Sequence, residues 1–141
     1  MLKGRQGDVM DALEGLWRLV EGRAWDEQGN ELAPPYGRRP FGELMFLGGR
    51  MLAAVCKDDP EFVVGESRGF SSYGGAYTYD GQSLVTQVDV SSDARRIGGE
   101  QRRSMVFLDE RTIIMHPPQR AYEGSIERRE LRWERVWRPG V

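Results

Sequence analysis

Apolar residues recur at every second position in short runs along most of this chain, and each run ends in a turn signal. A period of two is the spacing of a strand with one buried face, and a helix of comparable length cannot satisfy it. The runs are Gly15–Trp25, Phe41–Leu47, Arg50–Cys56, Tyr73–Tyr79, Ser83–Ser91, Gln101–Leu108, Arg111–Met115 and Ile126–Arg138. Between them stand the polar turn Asp26–Asn30, Gly48-Gly49, Asp80-Gly81, the Ser91–Gly99 loop and Asp109-Glu110. Two glycines between alternating strands indicate a tight hairpin with positive φ. The 18 glycines in 141 residues exceed the average usage of about 7%, as a succession of turns requires. About eight strands in sequential hairpins, spaced by roughly 8–12 residues, predict an all-β fold. An up-and-down antiparallel barrel is favoured over a sandwich because both chain ends carry matching bulk. Trp17 lies on the first strand, while Leu131, Trp133, Arg135 and Trp137 share one face of the last. A barrel of that size fills its interior with side chains or holds one small ligand.

Less regular stretches flank this pattern. Asp8 as N-cap, with Val9, Ala12 and Leu13 on one face, predicts a short N-terminal helix that stops at Gly15. Pro34-Pro35-Tyr36-Gly37 opens an irregular loop ending near Pro40. Lys57–Ser72 reads as a crossing loop or lid, in which Asp58-Asp59-Pro60 starts a short helix and Phe62, Val63 and Phe70 are buried. No repeat or low-complexity tract interrupts the chain, so residues 1–141 are expected to form one domain. Hydrophobic residues at 39% and charged residues at 30% suffice for one core.

Several function classes are disfavoured by composition. The net charge is -2, which leaves no basic excess to release counterions from nucleic acid. One cysteine, Cys56, and one histidine, His116, make neither an internal disulfide nor a Cys/His metal cluster. No phosphate loop is present, so neither metal nor nucleotide cofactor is expected. No apolar run nears the roughly 18 residues of a membrane helix, and Met1–Gly7 lacks a signal-peptide core. A cytoplasmic protein without a membrane partner is expected. Of the 20 basic residues only Lys3 and Lys57 are lysine; arginine grips carboxylates and phosphates in a planar, bidentate way.

The residues resemble a known family. Gly15-Leu16-Trp17 matches the Gly-X-Trp signature of lipocalin-like barrels, in which a late arginine closes over the tryptophan; Arg135 is the best-placed candidate. More closely, the chain resembles the bacterial lipocalin-like domain family of small intracellular proteins. The matching stretches are Gly15–Val20, Pro34–Gly37, Ser72–Tyr77, Val88–Ser92, Gln101–Arg103 and Trp133–Val136. The resemblance implies an eight-stranded barrel with a cavity. It also implies a histidine on the strand equivalent to Val85–Val90, where this chain has Gln87, so histidine chemistry at that position does not carry over.

Candidate site residues follow from strand parity. Tyr73, Tyr77 and Tyr79 share one face of their strand, and phenol-lined cavities both stack on and hydrogen-bond to ligands. Gln87 and Asp89 share a face two residues apart, and Arg103 and Gln101 alternate on the next strand. If Val88 and Val90 face outward, Gln87 and Asp89 enter the barrel, and Asp89, Arg103 and Tyr77 converge as its polar centre. Outward valines then call for a cover, and a homodimer through the sheet surface is the corollary. His116, before Pro117-Pro118, sits at a barrel end and is the side chain with an ordinary pKa near neutrality. Arg95-Arg96 beside Gly98-Gly99 reads as a solvated turn, with an anion clamp as the alternative.

The leading functional expectation is a cofactor-free barrel binding a small apolar or aromatic molecule. Tyr36, Tyr73, Tyr77 and Trp133 supply walls, and Gln87, Asp89 and Arg103 supply polar contacts. The alternative is an isomerase, cyclase or lyase in the same cavity. There Asp89 or His116 is the general base, and Arg103 or Tyr77 stabilises the developing oxyanion.

Overall fold

The computed structural model describes residues 12–57, 69–122 and 124–140. Ten strands follow in chain order: β1 (Gly15–Trp25), β2 (Glu31–Leu32), β3 (Pro40–Leu47), β4 (Arg50–Lys57) and β5 (Ser71–Tyr79). Then come β6 (Ser83–Ser91), β7 (Glu100–Asp109), β8 (Thr112–His116), β9 (Arg120–Tyr122) and β10 (Ser125–Trp137). Each of the eight runs becomes a strand within two residues of its expected ends. A short 3-10 turn, Ala94–Arg96, precedes β7. The expected N-terminal helix lies largely outside the described residues; Ala12 and Leu13 form a turn. Most of the expected lid, residues 58–68, also lies outside them.

Neighbouring strands pair antiparallel in the order β1-β3-β4-β5-β6-β7-β8-β10, and β10 returns to pair with β1. The result is a closed eight-stranded barrel, with β2 and β9 as short additions to β1 and β10. Closure removes the unpaired edges on which β-proteins aggregate. The β3–β4 hairpin turns on Gly48 (φ 62°) and Gly49 (φ 81°), the paired positive φ values of a type I′ turn.

The closing seam explains the Gly-X-Trp motif. Gly15 has φ 131°, and a Cβ there would stand 2.1 Å from the Trp137 carbonyl oxygen. Only glycine lets β10 approach so closely. Two residues on, Trp17 is fully buried and donates its indole N–H to the Leu13 carbonyl at 2.9 Å. Phe107 meets the Trp17 ring edge-on at 5.9 Å, and Phe46 meets Tyr77 at 4.9 Å. Leu13, Phe46, Met105 and Ile113 complete this end of the core at 0% exposure. Side chains of this size contribute roughly 1.5–3 kcal/mol each when fully buried, so this layer anchors the barrel.

Four register shifts interrupt simple alternation, one of them at Leu108, where Phe107 pairs with Ile113 and Asp109 with Thr112. Leu19 pairs with Trp133 but Glu21 with Arg132, so Val20 is an extra residue in β1. The inner face then continues through Gly22 and Ala24 rather than Glu21 and Arg23. Trp25, which alternation placed with Trp17, passes to the outside and lies under Arg23 and Arg128 at 5.0 and 5.7 Å. In β10, Leu16 pairs with Trp137 but Trp17 with Arg135, leaving Val136 extra. Trp137 was expected on the same face as Leu131 and Trp133; the bulge turns it out, 47% exposed. In β6, Gly74 pairs with Val90 and Gly75 with Val88, so Asp89 is the extra residue. A Cβ on Gly75 would lie 1.8 Å from the Gln87 carbonyl oxygen, which makes glycine obligatory opposite this bulge.

Candidate functional site

The parity of β6 decides the fate of the expected polar centre. Leu84, Thr86 and Val88 face inward and are buried, while Gln87, Asp89 and Val90 are exposed. Gln87 and Asp89 were expected to face inward; the parity is reversed because Thr86 and Val88 fill the core. Asp89 instead forms a two-pronged ion pair with Arg50 on the outer surface, at 2.7 and 2.8 Å. That guanidinium holds the Asp89 carboxyl below the usual carboxylate range. Gln87 hydrogen-bonds Glu100 at 3.2 Å. Arg103 does not oppose Asp89: it pairs with Leu84, and Gln101 pairs with Thr86, both on the inner face.

Tyr73, Tyr77 and Tyr79 do face inward, all at least nine-tenths buried. They separate along the barrel axis. Tyr77 packs on Phe46 in the Trp17 layer, and Tyr79 donates its hydroxyl to the Met105 carbonyl at 2.7 Å. Burial, reinforced by Asp80, pushes the Tyr79 phenol up to about 12. Tyr73 alone of the three reaches a cavity. Asp89, Arg103 and Tyr77 therefore do not converge.

The cavity lies at the barrel end away from Trp17. Its wall is Leu44 of β3, Ala53 and Val55 of β4, Ser71 and Tyr73 of β5, Arg103 of β7 and Met115 of β8. Arg129, Leu131 and Trp133 of β10 complete it, with Pro35, Tyr36, Arg96 and Pro117 at the mouth. Its volume is about 50 Å³. Four expected residues thus meet here: Tyr36, Tyr73, Arg103 and Trp133.

Tyr36 arrives by a strained route. Gly37 N–H donates to the Pro34 carbonyl at 3.1 Å, closing a turn in which Tyr36 has φ 61°. That is the left-handed position where type II turns take glycine or asparagine. A bulky side chain there costs of order 1–3 kcal/mol, and such residues cluster at ligand clamps. Gly22 lets the loop sit close, since a Cβ there would meet the Pro35 carbonyl at 3.0 Å.

Two arginines that sequence reasoning did not place in the site also reach it. Arg95, paired with Asp93 at 3.0 Å, is the solvated half of its dipeptide. Arg96 turns the other way, stacks over the Tyr73 ring at 4.3 Å and donates to Ser71 Oγ at 3.3 Å and to Gln101 Oε1. Arg129 occupies the inner face of β10 with Glu127, Leu131 and Trp133. Its signal was available in that parity: a basic residue two positions before two buried apolar ones. Burial pulls the Arg129 guanidinium below the usual arginine range, and nearby Arg120 and Arg103 add to the effect. Buried Glu127 is engaged by Arg120 at 2.7 Å and lies 3.7 Å from Arg129.

His116 is exposed on the rim, 3.8 Å from Glu130 and 3.2 Å from the Arg129 carbonyl. Neither it nor Asp89 is on the cavity wall, and no described wall residue is a carboxylate or an imidazole. Neither expected base therefore faces the cavity. Among the described residues no group of three metal-ligating side chains occurs, and no helix is long and apolar enough to cross a membrane.

No curated protein matches the chain. Among solved structures, a de novo designed fluorescence-activating β-barrel is similar at 13% identity with a TM-score of 0.43, over 89% of this chain and 97% of its own. A family model described as a lipocalin-like domain matches residues 14–138. The match runs from the glycine-tryptophan motif of the first strand through the arginine of the last, the two sides of the closing seam, and the chain belongs to this lipocalin-like domain family.

Proposed function

We propose that this barrel binds a small molecule with an apolar or aromatic body through its end cavity. The observation that carries the reading is the set of convergent walls: Tyr36, Tyr73 and Trp133 around an apolar floor of Leu44, Val55, Met115 and Leu131. Ligand sites combine such walls with a few placed polar groups, and Arg103 is one of them. At about 50 Å³ the space is well below the roughly 300–1,000 Å³ of drug-sized sites. It takes only part of a ligand, and the remainder passes the mouth between Tyr36 and Arg96, whose side chains turn aside. Strain at Tyr36 makes that side of the mouth the readier to move.

A neutral phenylnaphthylamine dye tests the reading, because its fluorescence rises on leaving water. Saturable one-to-one binding is expected, with loss of binding in Ala53→Phe, which fills the cavity floor from β4. Circular dichroism of that variant confirms that the barrel persists, and the milder Ala53→Leu serves if it does not. Absence of saturable binding, or binding indifferent to both variants, overturns the proposal. Native mass spectrometry of the purified protein then identifies what copurifies.

A further inference from the structure

We infer that the molecule held in this cavity carries a carboxylate, seated between Arg103 and Arg129 with the Trp133 indole N–H beside it. The inference rests on the cavity-binding reading above and adds the chemical class of the ligand's polar end.

Charge is the first argument. Three arginines, Arg96, Arg103 and Arg129, line the cavity, and no described lining residue is acidic. Glu127 is the nearest buried acid, but its closest partner is Arg120, at 2.7 Å against 3.7 Å to Arg129. Arg103 has no ion pair among the described residues. Like charges gathered at a half-buried wall repel one another, and an anion in their midst removes the repulsion.

Hydrogen bonding is the second, and it is independent of charge. Three buried side-chain atoms have no hydrogen-bond partner among the described residues: Gln101 Nε2, Trp133 Nε1 and Arg129 Nε, the last in a loose ion pair with Glu127 at 3.7 Å. All three are donors. Trp133 and Arg129 lie on the cavity wall, while Gln101 stands behind Arg96, whose guanidinium its oxygen accepts. A buried unpaired donor is costly, so the site calls for acceptors, and a carboxylate is acceptor-only with two oxygens. Shape supplies the third argument. Guanidinium groups match a planar carboxylate in paired fashion, and a head of three heavy atoms suits a space of about 50 Å³.

One ligand body with three heads tests the inference: naphthoic acid, naphthalenemethanol and naphthyl phosphate, each titrated by displacement of the phenylnaphthylamine dye. The acid is expected to bind at least about tenfold tighter than the alcohol, the usual worth of a charge-assisted contact. Arg103→Gln, which loses no ion pair, is expected to weaken the acid at least about tenfold and the alcohol by a clearly smaller factor, so that the preference for the acid shrinks. Arg129→Gln gives the same pattern if the barrel tolerates it. Equal affinity for acid and alcohol overturns the inference while leaving the cavity reading intact. Tighter binding of the phosphate than the acid overturns the carboxylate assignment. Failure of all three to displace a dye whose binding is lost in Ala53→Phe overturns the carboxylate inference, whereas dye binding indifferent to Ala53→Phe overturns the cavity reading itself.

Discussion

The guanidinium carbon of Arg135 sits 4.3 Å from the centre of the Trp17 ring, and its N–H groups donate to three backbone carbonyls. These belong to Ala12 at 2.6 Å, Glu14 at 3.1 Å and Glu110 at 3.1 Å. One side chain thus ties the chain before β1, the β7–β8 turn and β10 across the seam. Burial lowers its pKa from the ordinary arginine value, yet it stays charged at any physiological pH. Arg135→Ala is expected to destabilise by about 1–3 kcal/mol, through lost stacking and orphaned carbonyls. Denaturant unfolding checks this, and an unchanged midpoint would contradict the seam.

Gly15→Ala meets the Trp137 carbonyl at 2.1 Å with φ 131°, whereas Gly29→Ala, at φ 87°, finds open space. The second variant costs about 1–2 kcal/mol for its backbone conformation alone. The first is expected to cost more than that, because the clash forces β1 and β10 apart. Thermal melts of the two side by side isolate the steric part; equal losses would argue against close approach at the seam.

Tyr36→Gly separates strain from function. Glycine relieves the positive φ of 61°, so the melting temperature is expected to hold or rise by a few degrees. Dye affinity is expected to fall several-fold as the aromatic side of the mouth disappears. A destabilised variant that binds normally would mean that the ring is structural.

Tyr79 gives an alkaline signature. Its folded pKa, about 12, stands above the ordinary value of 10.0, so the unfolded chain ionises first. Between those values the unfolded state holds fewer protons, and stability falls as pH rises. Below pH 10 the contribution is complete. Tyr79→Phe is expected to flatten this limb while lowering neutral-pH stability by about 1 kcal/mol, the Met105 carbonyl having lost its donor. An alkaline limb identical in both proteins assigns it elsewhere.

Asp89→Asn tests the outward placement. The Arg50–Asp89 pair is exposed on both sides, so its removal is expected to leave the denaturation midpoint and dye binding nearly unchanged at neutral pH. Because Arg50 lowers the Asp89 pKa, the pair stabilises above the ordinary carboxylate range and is lost as pH falls through the folded value. Loss of ligand binding in this variant would restore Asp89 to the site.

The barrel was legible because its evidence is repeated: period-two runs, turn residues between them, and Trp17 and Arg135 at opposite ends of the chain. Single inserted residues were not. Val20, Asp89, Leu108 and Val136 each break the alternation once, and none carries a local mark that differs from an ordinary strand residue. Trp25 and Trp137 were therefore assigned to the wrong face, whereas Asp89 was misplaced because the parity of β6 as a whole runs the other way, with Leu84, Thr86 and Val88 inside. Glycine at Gly75 was the nearest thing to a warning, since close backbone approach is what a bulge demands. Tyr73, Arg103 and Trp133 were found because no bulge separates them from the buried residues that set their parity. Arg129 was missed, and Arg96 was read first as part of a solvated turn with an anion clamp as the alternative, because charge ordinarily faces solvent; both lie half-buried at the cavity.

The Trp17 layer has a kinetic consequence. Trp17, Leu13 and Phe46 are fully buried at their end of the barrel. Among the described residues, the passage beside Tyr36 and Arg96 is therefore the route on which a guest in the proposed site would both enter and leave. Substitutions that only widen or narrow that passage must change arrival and departure rates by the same factor, leaving the equilibrium constant where it was. Substitutions on the floor, at Leu131 or Met115, act on the residence time alone. Stopped-flow traces can therefore sort gate from floor, residue by residue.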